Sequence, residues 1–433
     1  MRSKFISGGT LALAATIMIS SGLAQTWESR ADAPLGNSGL PYSAGSALCA
    51  GDSFLFVLKG RSTLESNEFY QYNPGLNNWG ILETLRMVGR NGTPVPAGAG
   101  ASLTFARGSF PAGKVHCVKG NNSLEFWSYS PTGRPKSYPW IQKADIPTGG
   151  TVVTVGSSVA AATVGGLPYV YLLKGSGTTE FYRYDITNDQ WQTLAAAPAG
   201  PSGRPYGPGS VIAFDGADWI YALKGNATTE FFAYEVDSNI WFTRAGLPSG
   251  PSGKPAGEGA GLIGRHGSAY ALKGDSTTEF WKYDADSNRW SVCADLPAGA
   301  SGRPAGEGTG LTYTPNGDQI YCLKADGTTE FYIYLLHPGL SEQAHVPTAH
   351  IALAAVPNPS RTMFRLGLPG TRTALNIRIL DAAGRLVRDL GATRDVLWDG
   401  TDGRGQSLPP GIYFASATAG HETWRATLIK LAE

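Results

Sequence analysis

Tyr221-Ala-Leu-Lys-Gly-Asn-Ala-Thr-Thr-Glu-Phe-Phe-Ala-Tyr234 returns further along the chain as Tyr270-Ala-Leu-Lys-Gly-Asp-Ser-Thr-Thr-Glu-Phe-Trp-Lys-Tyr283, and again as Tyr321-Cys-Leu-Lys-Ala-Asp-Gly-Thr-Thr-Glu-Phe-Tyr-Ile-Tyr334. Three earlier copies place the Lys at Lys59, Lys119 and Lys174, the Glu-Phe pair at Glu68, Glu125 and Glu180, and the closing Tyr at Tyr72, Tyr129 and Tyr184. The copies are six in number and 49 to 60 residues apart. In each, an apolar run ending in Leu-Lys-Gly reads as a strand stopped by a turn. Thr-Thr-Glu-Phe-aromatic-x-Tyr resumes as a second strand with aromatic residues on both faces, as in a sheet packed between two others. A polar turn such as 185–189 leads to a third strand bearing Trp191, and a Gly-rich stretch leads to a fourth at 210–214. Four strands per copy, six times over, predict an all-β propeller of six blades.

The tryptophans indicate how the ring closes. Trp79, Trp140, Trp191, Trp241 and Trp290 follow their Glu-Phe pairs, but the sixth copy has no Trp after Phe331. The missing one stands near the N-terminus, where Trp27-Glu-Ser-Arg-Ala-Asp-Ala-Pro-Leu-Gly-Asn-Ser-Gly39 matches Trp191-Gln-Thr-Leu-Ala-Ala-Ala-Pro-Ala-Gly-Pro-Ser-Gly203. The N-terminal strand is therefore expected to complete the sixth blade and remove an open edge. Over residues 25–336 the chain resembles Kelch-type propellers, whose blades end the second strand in a glycine pair followed by a spaced Tyr and Trp. It departs from them in carrying Lys-Gly in five copies and Lys-Ala in the sixth.

The ends of the chain read differently. Arg2 and Lys4 precede an uncharged stretch, 5–21, and Gly22-Leu23-Ala24 forms a small-residue cleavage pattern, so residues 1–24 read as a secretory signal. No later segment approaches the length of a membrane helix. After a polar linker, 337–350, residues 351–433 alternate as short strands (363–368, 375–380, 386–390, 411–417 and 424–431) separated by turn signals such as Ala383-Gly384, which predicts a small Ig-like β-sandwich. Pro357-Asn-Pro359, Ile379-Leu-Asp-Ala-Ala-Gly-Arg-Leu-Val-Arg388, Trp398-Asp-Gly400 and Pro410-Gly-Ile-Tyr-Phe414 resemble the C-terminal sorting domains of type IX secretion cargo and the related flagellar-hook-capping Ig-like domains. That resemblance implies contact with the secretion machinery, passage across the outer membrane of a two-membrane bacterium, and release or surface attachment. A plain structural module is the alternative.

Composition narrows the partners. With 35 basic and 34 acidic residues, no overall field favours nucleic acid or an anionic membrane. Cys49, Cys117, Cys293 and Cys322 form no C-x-x-C pattern. They read as buried thiols, with disulfides open to an exported chain.

In a blade of four antiparallel strands, the hairpin loop between Lys and Glu and the loop into the next blade emerge on one face, where function concentrates. Two sets of charges mark that face. Lys174 with Glu180, Lys224 with Glu230 and Lys273 with Glu279 repeat with the blades, and read as cross-strand or inter-blade ion pairs in preference to a ring greeting a ligand. The second set breaks the symmetry. Arg204, Lys254 and Arg303 precede a Pro in three successive loops, where Leu40 and Thr93 stand elsewhere. Glu258 and Glu307 follow two of these bases by four residues and are expected to neutralise them, whereas Pro208 follows Arg204. Arg204 with Tyr206 is thus the leading ligand-contact candidate; solvated loop charges are the plain reading.

Catalytic chemistry has little to draw on. His337, His345, His350 and His421 lie in the linker or C-terminal domain, His116 stands where other copies carry an aromatic, and His266 sits in a Gly-flanked loop. A copper site of the galactose-oxidase type needs converging His and Tyr ligands. No nucleophile elbow, zinc helix motif or phosphate loop is present. Asp399-Gly-Thr-Asp402 reads as a turn, without the later ligands of a calcium loop. No catalytic or metal role is assigned and no cofactor is expected. The chain reads as an exported binding or display protein for a protein or glycan ligand. A carbohydrate-active enzyme using the propeller mouth and a structural surface-layer component remain the alternatives.

Overall fold

The computed structural model describes residues 25–60, 67–107, 113–131, 139–265, 267–314 and 319–336, and then 353–356, 358, 360–367, 375–381, 385–393, 396–419 and 422–432. The signal segment 1–24, the linker 337–350, Pro357, Pro359, Ala383, Gly384, His266, His337, His345, His350 and His421 lie outside the described residues. Met1–Ser341 and Glu342–Glu433 form two compact units. All regular structure among the described residues is β, and no helix there is long and apolar enough to cross a membrane.

The first unit is a six-bladed propeller. Blade four shows the pattern: Val211–Phe214, Trp219–Leu223, Phe231–Glu235 and Ile240–Arg244 pair antiparallel in sequence order, from the inner strand outward. Blades one, two, three and five repeat it over 47–82, 102–142, 158–193 and 261–292. Blade six takes Gly310–Tyr313, Gln319–Leu323 and Phe331–Leu335 from the end of the unit and Trp27–Ser29 from its beginning. The register is Trp27 with Tyr334, Glu28 with Ile333 and Ser29 with Tyr332.

The repeated aromatics explain why the blades stack. At every seam the Phe of one Glu-Phe pair inserts between the Tyr and Trp of the next blade. Phe181 meets Tyr234 and Trp241 at 4.9 Å each, and Phe231 meets Tyr283 and Trp290 likewise. The same edge-on geometry, favoured by ring quadrupoles, holds at the closure: Phe280 meets Tyr334 at 5.1 Å and Trp27 at 5.0 Å, and Phe331 meets Tyr72 at 4.8 Å and Trp79 at 5.1 Å. Each indole also donates to a carbonyl of the preceding blade's exit, as Trp241 does to Ala195 at 3.0 Å and Trp27 to Ala294 at 2.9 Å.

The closing strand brings its own latch. In blades one, three, four and five the repeat Tyr hydroxyl donates to a turn residue in the left-handed region (Asn77, Asp189, Asn239, Asn288) at 2.6–2.9 Å. Blade six has no such turn, and Tyr334 donates instead to Gln25 Oε1 at 3.0 Å while Gln25 Nε2 reaches the Leu336 carbonyl.

Around the axis, six glycines with φ of 76–84° (Gly45, Gly100, Gly156, Gly209, Gly259 and Gly308) each press on the next blade's loop backbone. A Cβ on Gly308 would lie 2.1 Å from the Ser43 carbonyl oxygen, so neither the dihedral nor the space admits a side chain there.

His116 takes the place of the core aromatic in blade two, stacked 5.7 Å from Phe126, and neither ring nitrogen has a hydrogen-bond partner. Burial, with Lys114 and Lys143 adding positive charge, pushes its pKa down to about 3. Below an unfolded value of about 6.5 the unfolded chain takes a proton that the folded chain refuses, so stability falls as pH drops from there toward 3. His116→Phe should abolish this slope, read as a smaller loss of melting temperature between pH 7 and pH 5 than in the parent chain.

All four cysteines are free; Cys49, Cys117 and Cys322 are buried, and burial raises their thiols far above the usual range.

The second unit is an Ig-like sandwich of two sheets. Ala354–Val356, Phe364–Gly367 and Val396–Trp398 form one; Leu386–Thr393, Leu375–Leu380, Gly411–Ala419 and Glu422–Lys430 form the other. The strands at 354–356 and 396–398 lacked a sequence expectation. In its core Trp398 stacks on Phe364 and meets Tyr413 edge-on, both at 5.4 Å, among Ile377, Ile379 and Leu428. Asp399 and Asp402 each accept nearby backbone N–H groups, which makes 399–402 the expected turn.

Candidate functional site

The hairpin loop of each blade and the loop entering the next meet on one face, as isolated bridges between Thr178 and Tyr206, Thr228 and Ala256, and Tyr42 and Thr328 record. Beneath this face lie the repeated ion pairs. Lys174 meets Glu180 at 2.7 Å and Lys224 meets Glu230 at 2.6 Å; Lys273 meets Glu279 in the same way, and Lys59, Lys119 and Lys324 complete the set. Every one of these lysines is buried. An ammonium has three donors to satisfy, and the fold supplies acceptors from the incoming loop: Lys174 reaches the Pro147 and Thr148 carbonyls, and Lys224 reaches the Ala199 carbonyl and Ser202 Oγ. The carboxylate grips the same loop from its other oxygen, accepting the Ser202 backbone N–H at 2.8 Å for Glu230 and that of Ser252 at 2.7 Å for Glu279. Burial alone would raise Glu230 and Glu279, but these hydrogen bonds and the paired lysines hold both below the usual carboxylate range. The pairs tie each loop to the next blade and do not ring the mouth.

The symmetry-breaking bases sit above them. Arg204 is exposed and donates to the Asn226 carbonyl at 3.1 Å; Arg303 donates to the Asp326 carbonyl at 2.7 Å and Lys254 to the Asp275 carbonyl at 2.8 Å. Each base thus fastens its loop to the following hairpin, with guanidinium donors to spare on Arg204 and Arg303. Tyr206 lies elsewhere than expected. It is fully buried, Lys224 Nζ stands 5.7 Å from its ring centre, and its hydroxyl has no hydrogen-bond partner. The loop carries Arg204 outward and turns Tyr206 inward, so the two do not share a surface.

Glu258 and Glu307 also depart from expectation. They do not neutralise Lys254 and Arg303; the two carboxyls lie beside each other, and burial, the neighbouring Glu258 and Asp326 together raise the Glu307 carboxyl above its usual range. Each immediately precedes a ring glycine, in adjacent blades. Ala44, Ala99, Val155 and Pro208 hold the same place in the other four blades. The signal was in the sequence as this position; spacing from the bases pointed elsewhere. With the folded pKa raised, protonation stabilises the folded seam, a contribution present at low pH and lost as pH rises through the Glu307 value.

Below the mouth, the six inner strands enclose a channel of about 520 Å³ lined by small residues (Ser, Ala, Gly, Thr), aliphatic Leu, Val and Ile, and Cys49, Phe105, Phe214 and Tyr313. Its two halves are built differently. In blades two and three, hydroxyls cap the next blade's inner edge, as Ser102 does Val159 N–H at 3.1 Å and Ser158 does Ile212 N–H at 3.0 Å. On the other side, Gly261 and Gly310 make room for Leu311 and Leu48. Among the described residues no group of three or more His, Cys, Asp and Glu is arranged to hold a metal ion.

Residues 358–422 match the FlgD Ig-like domain family. No curated protein matches the chain. Among solved structures, PorZ, a bacterial surface component of the type IX secretion system of Porphyromonas gingivalis, is 14% identical over 89% of this chain with a TM-score of 0.38; the match spans about half (51%) of PorZ. A Bacteroides thetaiotaomicron protein of unknown function is 10% identical over 72% of this chain and 76% of its own, at 0.47. The α-L-arabinofuranosidase of Fusarium graminearum is 12% identical over 71% of this chain and 98% of its own, at 0.49.

Proposed function

We propose that the chain is an exported surface protein whose propeller binds a protein or glycan ligand across the channel mouth at blades four to six, and whose Ig-like domain serves outer-membrane secretion or attachment. The observation that carries the reading is the carboxyl pair. Holding Glu258 against Glu307 opposes folding at neutral pH and ties no loop down, so the pair has no evident structural task. Exposed Arg204 and Arg303, in the loops entering blades four and six on the same face, add donors with the opposite sign, giving that face a charge pattern that can orient a polar ligand. The FlgD-type match over 358–422 supports the delivery role of the second unit. A glycan and surface-protein array probed with the full chain and with Arg204→Ala tests this. Binding to at least one probe, weakened about tenfold (roughly 1.4 kcal/mol) by Arg204→Ala, is expected; a folded chain that binds nothing overturns the reading.

The same pair favours a second reading, a carbohydrate-active enzyme. Glycosidase carboxyls stand about 5 Å or more apart and have room for a sugar between them, so a substrate would have to part these neighbouring carboxyls. Reducing-sugar release that disappears in Glu307→Gln would replace binding with catalysis. A surface-layer role would instead draw on the exposed apolar side chains Leu76, Ile81 and Val292.

A further inference from the structure

We propose that Gln25 is a modification site, where the processed chain can close an N-terminal pyroglutamate lactam, and that the sixth blade holds this reaction in check. The proposal rests on the export reading, in which removal of residues 1–24 leaves Gln25 first and gives it a free α-amine. Nucleophile and electrophile then belong to one residue. The amine nitrogen attacks Cδ and forms the bond that completes the lactam ring. The Cδ–Nε2 bond breaks, and Nε2 leaves as ammonia with the proton that the amine gives up. No oxidant or second reactant is consumed.

The same amide is the latch of the ring. In blades one, three, four and five, the side-chain oxygen that accepts the repeat Tyr hydroxyl also accepts a backbone N–H of the preceding blade's exit (Ala31, Ala144, Ala195 or Ala245). Those Asn and Asp residues lie within the chain and have no α-amine to attack them. In blade six the role falls to Gln25, whose Oε1 accepts the Tyr334 hydroxyl at 3.0 Å and whose Nε2 donates to the Leu336 carbonyl at 2.6 Å. The backbone beside it is held as well: the Thr26 carbonyl accepts the Leu335 N–H, and Trp27–Ser29 pair with Phe331–Leu335. Tyr334 is buried against Trp27 and Phe280, which fixes its hydroxyl in place.

Cyclisation and closure thus compete for one group. The attack folds the side chain back on its own α-nitrogen and expels Nε2, so the amide has to leave the Leu336 carbonyl. A closed ring therefore reacts only from locally opened states, at a rate set by their population. Gln25 is exposed, so its protection lies in the hydrogen bonds and not in burial. A chain that cyclises before it closes has lost the Nε2 donor for good, and the latch to Leu336 cannot form.

Mass spectrometry of the N-terminal peptide, following loss of one ammonia with time, tests the assignment on chain whose Gln25 amine has been exposed by a site-specific protease. Cyclisation is expected to be at least tenfold slower in the folded chain than in the same chain in urea. Tyr334→Phe, checked for an intact melting transition, should cyclise at least threefold faster than the parent when folded and at the parent rate in urea. Equal rates for the parent folded and in urea, or a folded Tyr334→Phe that cyclises no faster than the parent, would overturn the proposal. The first residue of the chain exported by a two-membrane bacterium is mapped separately. A start other than Gln25 would overturn the site through its premise, a failure distinct from that of the latch.

Discussion

Removal of residues 25–34 is expected to lower the melting temperature of the propeller by about 6–10 °C, because loss of a buried Trp costs about 3–5 kcal/mol and each kcal/mol shifts a large domain by about 2 °C. Trp27 is the largest part of that loss. It packs 5.0 Å from both Phe280 and Tyr334 and donates to the Ala294 carbonyl. The deletion also strips Tyr334 of its Gln25 partner and uncovers the whole edge of Phe331–Leu335. An uncovered edge pairs with other chains, so concentration-dependent aggregation should accompany the drop. Trp27→Ala alone should reproduce most of the thermal shift without the aggregation, since the strand backbone remains. A melting temperature unchanged by the deletion would show that the sixth blade closes by other means.

Lys224→Met should be as damaging from the opposite side of the architecture. Lys224 is buried, and its ammonium joins Glu230, the Ala199 carbonyl and Ser202. Removing it strands a mostly buried carboxylate, and breaking such a pair costs about 3–5 kcal/mol. Glu230→Gln in the same chain should recover part of the loss by discharging the orphan, but not all of it, because the loop carbonyl stays unpaired. Thermal melts of the single and double variants measure both effects. Arg204→Ala, in an exposed loop, should change stability by no more than about 0.5 kcal/mol. A Lys224→Met melt as mild as that of Arg204→Ala would mean the repeated pairs are not what fastens the loops.

The blade architecture was legible because the aromatics that identify the repeat are also the groups that pack its seams. Phe181, Tyr234 and Trp241 recur in the sequence for the reason they meet in space. The N-terminal closure was readable from Trp27 for the same reason, although the Gln25 latch was not, since no repeat position has a Gln in that role. Local periodicity says which residues share a strand but not which way a loop residue turns. Tyr206 follows Arg204 by two positions and still faces the interior, because the loop bridges to Thr178 there. The Glu258–Glu307 contact runs between blades, so it follows from the ring and not from the spacing within one loop. Burial of the repeated lysines likewise depends on the loop that covers them, which a single blade does not contain.

Two sets of charges divide the labour: the repeated Lys–Glu pairs fasten the ring, and the symmetry-breaking Arg204, Glu258 and Glu307 are the groups we propose to meet the ligand. The binding curve of the Glu258→Gln/Glu307→Gln chain, taken against whichever probe the array identifies and on protein that melts at or above the parent temperature, tests this most directly. At least a tenfold loss of affinity, with stability kept or raised as the carboxyl repulsion is relieved, is the predicted result. Parent-like affinity in that folded variant would place the ligand elsewhere on the propeller and contradict it.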